Sequence, residues 1–64
     1  MTSNSLYRID FRYGSNANWT PVYETNELHK LYGMYKHLKT NNYDDDYHFR
    51  CCVLFGGHFR VIQH

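Results

Sequence analysis

Alternation of side-chain character at a period of two constrains this chain more than any other feature. From Tyr7 to Tyr13, Tyr7, Ile9, Phe11 and Tyr13 share one parity, and Arg8, Asp10 and Arg12 share the other. From Tyr47 to Phe55, Tyr47, Phe49, Cys51 and Val53 alternate with His48, Arg50, Cys52 and Leu54. Near the end, Phe59 and Val61 alternate with His58, Arg60 and Ile62. Successive side chains on a strand point to opposite faces. The pattern therefore predicts a sheet with one apolar, packed face. The opposite face is expected to carry all four arginines: Arg8, Arg12, Arg50 and Arg60.

Length narrows the solution further. The 64 residues make one domain, 1–64, with a frayed start over Met1–Ser5. A chain this short buries only about 60% of its unfolded surface, so it needs help to stay folded. A disulfide is a poor source of that help. The two cysteines, Cys51 and Cys52, are adjacent, and strand neighbours point apart. Free cysteines suit a reducing compartment, so a cytoplasmic protein is expected. Aromatic rings supply the area instead: seven Tyr, four Phe and one Trp. Each such ring buries roughly 150–250 Å².

The remaining segments order themselves around these strands. Leu6–Tyr13 reads as the first strand, and the turn formers of 14–18 close it. Trp19–Glu24 reads as a shorter second strand. Pro21 places it at a sheet edge, because proline has no N–H to give to a ladder. A helix follows, capped by Thr25 or Asn26, with Glu27 in its first turn. Leu28, Leu31, Tyr32, Tyr35 and Leu38 form its apolar stripe, and Asn41-Asn42 stops it. Gly33 lies off the stripe. Asn41–Asp46 is an acidic loop, and Tyr47–Phe55 and His58–Gln63 form a hairpin.

The hairpin register is open to two solutions. A two-residue Gly56-Gly57 turn pairs Val53 with Arg60 and mixes the two faces. A three-residue Phe55-Gly56-Gly57 loop pairs Val53 with Phe59 and keeps the apolar set together. The patterning favours the second. It sets Arg50 opposite Ile62, Cys52 opposite Arg60, and His48 opposite His64, and leaves Phe55 at a loop tip. The expected fold is α+β: a single antiparallel four-stranded sheet, β-β-α-β-β in order 2-1-3-4, with one helix packed on one face.

The arginine face is the candidate working surface. It is expected to hold Arg8, Arg12, Arg50, Arg60, His48 and His58, with Asp10 as its one acid. Guanidinium groups suit carboxylates and phosphates. The same composition also describes an ordinary solvated sheet face, whose long arginine stems cover the strands. Trp19, Phe55, Met34 and Tyr43 are not absorbed by the expected core, and aromatics are enriched where proteins bind proteins. The Asp44–Asp46 run reads as a solvated turn or an acidic docking element.

Other chemistries find less support. No serine has an acid–base partner placed by spacing, so the chain is not expected to be an enzyme. His48, Cys52, His58 and His64 fit no usual zinc spacing, so neither a metal nor a cofactor is expected. Arginines beside Cys52 would lower its thiol pKa. Nucleic acid is the alternative partner for the basic face, although the net charge is only +1. The N-terminal residues are polar and carry no signal-peptide pattern, and no apolar run is long enough to span a membrane. The free C-terminal edge strand offers a route to a homodimer.

Two segments carry a resemblance. Tyr7-Arg8-Ile9-Asp10-Phe11-Arg12-Tyr13, and Trp19-Thr20-Pro21-Val22-Tyr23-Glu24-Thr25 leading into the helix, give the chain a composition and architecture that resemble small accessory proteins of bacteriophages, including cyanophages. That resemblance implies a viral protein that works in the host cytoplasm by binding and altering a host macromolecule. With the arginine face, it yields an expected function: a non-enzymatic protein-interaction module that inhibits or modulates a host enzyme or complex with an acidic surface. Arg8, Arg12, Arg50, Arg60, His48, His58, Trp19 and Phe55 are the expected contacts.

Overall fold

The computed structural model describes residues 5–42 and 44–64. Tyr43 and residues 1–4, the larger part of the expected frayed end, lie outside the described residues. Ser5 is tied down, its carbonyl accepting a hydrogen bond from the Asn26 side-chain amide at 3.2 Å.

Four strands and one helix follow in the expected order: β1 (Tyr7–Tyr13), β2 (Thr20–Thr25), α1 (Leu28–Asn41), β3 (Tyr47–Phe55) and β4 (His58–Gln63). They form one antiparallel sheet in the order β2-β1-β3-β4. Pro21 lies on the edge strand β2, where a register shift opposite Ile9 and Asp10 leaves Val22 unpaired. A bulge beside proline relieves the ladder of the missing donor.

Alternation in β1 and β3 produces two faces, as expected. Ile9, Cys51 and Phe49 lie beneath the helix with Leu31 and Tyr35, and Tyr7, Phe11, Tyr23, Met34 and Leu38 pack around them. Phe11 joins Phe49 and Tyr47 through ring contacts at 5.2 and 5.6 Å. Met34 therefore belongs to the core. Leu28 and Tyr32, the outer members of the expected stripe, are exposed.

The helix ends differ in how they are closed. Glu27 occupies the N-cap position without a side-chain cap; its carboxylate pairs with Lys30 at 3.1 Å. Thr25 Oγ1 accepts the Glu27 N–H one step earlier, so neither Thr25 nor Asn26 is the cap and Glu27 precedes the first turn. At the other end Asn41 and Asn42 donate side-chain N–H groups to the carbonyls of His37 and Leu38, satisfying acceptors that the helix leaves open. A Cβ at Gly33 would meet nothing within 4 Å, and nothing in the structure explains this residue.

The Asp run is a turn. Asp44 Oδ1 accepts the Asp46 N–H, the Asp44 carbonyl accepts the Tyr47 N–H, and the Asp46 carbonyl accepts the Gly14 N–H at 2.7 Å. Its carboxylates, Asp44 first, raise the pKa of the neighbouring Tyr13 phenol.

The β3–β4 hairpin departs from expectation. Gly56 and Gly57, with φ of 60° and 83°, form the two-residue turn, and Val53 pairs with Arg60, Leu54 with Phe59 and Phe55 with His58. Two successive positive φ values match the strand twist and favour glycine. A second register shift, between Cys51 and Cys52, then pairs Cys51 with Gln63. The three-residue loop was expected because it keeps apolar residues on one face. That argument holds only where a face is buried. The helix packs over β1, β2 and β3 and does not reach β4. With no packed layer over β4, turn geometry sets the register. Phe55 is the last residue of β3, not a loop residue, and is 65% exposed.

Candidate functional site at the arginine–tryptophan face

Register decides which side chains share the face opposite the helix. Strands β1 and β3 place Arg8, Asp10 and Arg12 beside Cys52, Arg50 and His48 respectively. The two-residue turn puts Phe59 and Val61 on this face and sends Arg60 and His58 to the other. Arg60 lies 5.5 Å from the Phe55 ring there. The expected four-arginine platform is therefore a three-arginine one, and His58 does not belong to it. The expected opposition of His48 and His64 is also absent, because pairing with β4 ends at Cys51–Gln63.

Asp10 organises the face. It is 1% exposed, the one buried charged side chain among the described residues. Arg50 Nε donates to its Oδ2 at 2.9 Å. Arg8 Nη2 donates to Oδ2 at 3.2 Å, while Arg8 Nε lies 2.7 Å from Oδ1 as an ion pair whose N–H is not aligned for a hydrogen bond. Cys52 Sγ donates to Oδ2 at 3.6 Å. A carboxylate out of water is tolerated only with such partners.

Aromatic rings complete the arrangement. The Arg8 guanidinium stacks 3.7 Å from the centre of Phe59. Those of Arg12 and Arg50 lie 4.5 and 4.3 Å from the centre of Trp19. Cation–π contacts of this kind are strongest with tryptophan and when partly desolvated. Sequence patterning assigned Phe59 to the packed face and left Trp19 without a partner. Both rings instead cover guanidiniums.

The thiols lie on opposite faces, both buried. Burial first, and then Cys52, push the Cys51 thiol up to about 11 from its ordinary 9.0. Burial and then Asp10 raise Cys52, outweighing Arg50 and Arg8, which lower it. The expectation of an activated Cys52 is thereby reversed: the arginine charge is already directed at Asp10. Both thiols are expected to resist Ellman's reagent in the native protein at about pH 8 and to react on unfolding. Linkage adds a pH signature. The unfolded Cys51 loses its proton from pH 9.0, the folded one only near 11. The stabilisation by neutral Cys51 is full below pH 9.0 and lost as pH rises through about 11. Urea midpoints should fall across that window, and less so in Cys51→Ala; rapid stoichiometric labelling of native protein would contradict the assignment.

A pocket of about 300 Å³ opens at the β3 end of this face. Arg12, His48 and Arg50 line it from the arginine face, Trp19 from the loop before β2, Tyr47 and Phe49 from the helix-packed side of β3, Lys39 from the helix and His64 from beyond β4, so the pocket wraps round the uncovered edge of β3. β4 pairs with β3 only over Cys51–Phe55, so the Tyr47–Arg50 stretch flanks the pocket without a β4 partner. Lys39 and His64 were not foreseen as neighbours of the arginines. Among the described residues, no group of three or more His, Cys, Asp or Glu side chains could hold a metal ion. No described helix is long and apolar enough to cross a membrane.

Comparison with known proteins adds no assignment: no protein-family model, curated protein or solved structure matches the chain.

Proposed function

We propose that this chain is a non-enzymatic interaction module that binds an acidic surface on a host protein and inhibits or modulates it, in the manner implied by the resemblance to phage accessory proteins. One observation carries the reading. Arg12 and Arg50 converge on a tryptophan, and the single carboxylate of this face, Asp10, pairs with Arg50 and Arg8. The three arginines exceed that carboxylate by two charges, and among the described residues Arg12 has no acid beside it. Arginine and tryptophan together are the residues most enriched at binding hot spots. The surface used would be Arg12, His48, Arg50 and Trp19. Arg60, His58 and Phe55 lie outside it, on the other face, and Arg8 is committed to Asp10 and Phe59.

The test must avoid residues that hold the fold. Arg12 and His48 make no ion pair with Asp10. Affinity capture from a host lysate would compare wild type with Arg12→Glu/His48→Glu, with and without nuclease. The expected result is one protein retained after nuclease and lost, by at least about tenfold in affinity, in the variant. Capture that disappears with nuclease would transfer the face to nucleic acid. Equal capture by both proteins would remove the face from function.

A further inference from the structure

We infer that the pocket between Arg12, Lys39 and Arg50 is a binding site for a doubly charged oxyanion of the phosphate class, free or as a monoester. This rests on the reading of the same face as an acidic-partner surface and names the group it would grip.

Arg12, Arg50 and Lys39 reach one pocket from three elements, β1, β3 and α1, with His48 and His64 beside them. No acidic side chain lines the pocket among the described residues. Like charges gathered around one small volume repel unless an anion sits among them. Arg50 spends its Nε on Asp10. Among the described residues, Lys39 has only the Tyr35 hydroxyl at 3.4 Å and the Tyr35 ring, and no acid pairs with it.

Hydrogen bonding points the same way. The Nε of Arg12 is buried and has no hydrogen-bond partner among the described residues. Buried donors without a partner are uncommon, and one on a charged guanidinium more so. Arg12 is held against Trp19, so the guanidinium is fixed in direction before any ligand arrives. A planar fork held in place is the group best matched to phosphate oxygens.

Size and shape select the ligand. About 300 Å³ is at the small end of ligand pockets, which run roughly 300–1,000 Å³. A tetrahedral dianion presents oxygens to more than one guanidinium at once, whereas a carboxylate offers one charge in one plane.

Trp19 is the only tryptophan in the chain and lies against two of the three cations, so its emission reports the site directly. The full chain would be titrated with inorganic phosphate, phosphoserine and acetate, with potassium chloride holding ionic strength constant. Phosphate is expected to give a saturable change with Kd below about 10 mM, at least tenfold tighter than acetate. Arg12→Gln should weaken it at least tenfold. Lys39→Gln, on the exposed helix surface, should weaken it as well and serves if the first variant does not fold. Phosphoserine tighter than phosphate marks an esterified ligand; the reverse order marks a free anion. Absence of saturation, or identical titrations in wild type and both variants, overturns the site. The two readings separate cleanly. Phosphate that binds without displacing a captured partner leaves the anion site standing and removes the partner surface. Capture that needs Arg12, with Trp19 indifferent to phosphate and phosphoserine, does the opposite.

Discussion

Asp10→Ala is expected to lose about 3 kcal/mol of stability, because it strands two guanidiniums that are largely out of water. The Arg8 and Arg50 side chains are 21% and 24% exposed, and both direct donors at the same carboxylate. Removing one partner of a buried ionic cluster generally costs about 3–5 kcal/mol, and partial exposure places this case at the lower end. Stabilities of roughly 0.05–0.15 kcal/mol per residue give a chain of this length about 3–10 kcal/mol in all. The substitution therefore threatens the fold itself. Urea unfolding followed by Trp19 emission measures it, since the ring stacks on Arg50. A loss under about 1 kcal/mol would mean that solvent already screens the cluster. The companion experiment replaces the whole cluster, as Arg8→Met/Asp10→Leu/Arg50→Met. Buried ionic clusters exchanged for apolar groups of similar size often keep their stability. That triple variant should therefore unfold at a higher urea concentration than Asp10→Ala. Together the pair would show that Asp10 is required because the arginines are there.

This dependence changes what the arginine face is. Two of its three guanidiniums act inward, on Asp10, and their outer surfaces stack on Phe59 and Trp19. Charge reversal at Arg8 or Arg50 would test stability before it tested binding. Arg12 is the one of the three that makes no ion pair with Asp10, and the functional and anion-binding experiments both turn on it.

The strands, their order and the two-faced sheet were legible because strand periodicity survives in the sequence wherever a face is buried. Ile9, Phe49 and Cys51 show this: each lies where its parity puts it, under the helix. The hairpin was not legible by the same argument. Val61 and Phe59 have the spacing of core residues, but no helix lies over β4 and burial does not enforce their side. The Gly56-Gly57 dipeptide held the stronger signal, since paired glycines are the mark of a two-residue turn. Arg60 and His58 were misplaced by that single step. The stacking of Trp19 on Arg12 and Arg50 had no signal in spacing. It comes from a loop residue folded back across the sheet, which only tertiary geometry reveals.

Helix α1 offers the sharpest contrast between periodicity and burial. Leu28 and Leu31 are equivalent members of the apolar stripe by spacing, yet Leu31 is fully buried and Leu28 is 43% exposed. Leu31→Ala is expected to cost about 3 kcal/mol. The lost transfer free energy and the cavity beneath the helix add, and buried leucines truncated to alanine typically lose about 2–5 kcal/mol. Leu28→Ala should cost less than about 1 kcal/mol, since much of its side chain is already in water. Leu31 touches the same small cluster as Ile9, Tyr35, Phe49 and Cys51, and no second core exists among the described residues to compensate. Urea midpoints of the two variants, with unchanged m-values, would measure the difference. Equal losses would mean that the helix packs on the sheet by its whole stripe. The unequal result would locate the stability of the domain in the short segment around Leu31 and Tyr35. It would also explain how so small a chain leaves β4 uncovered and stays folded.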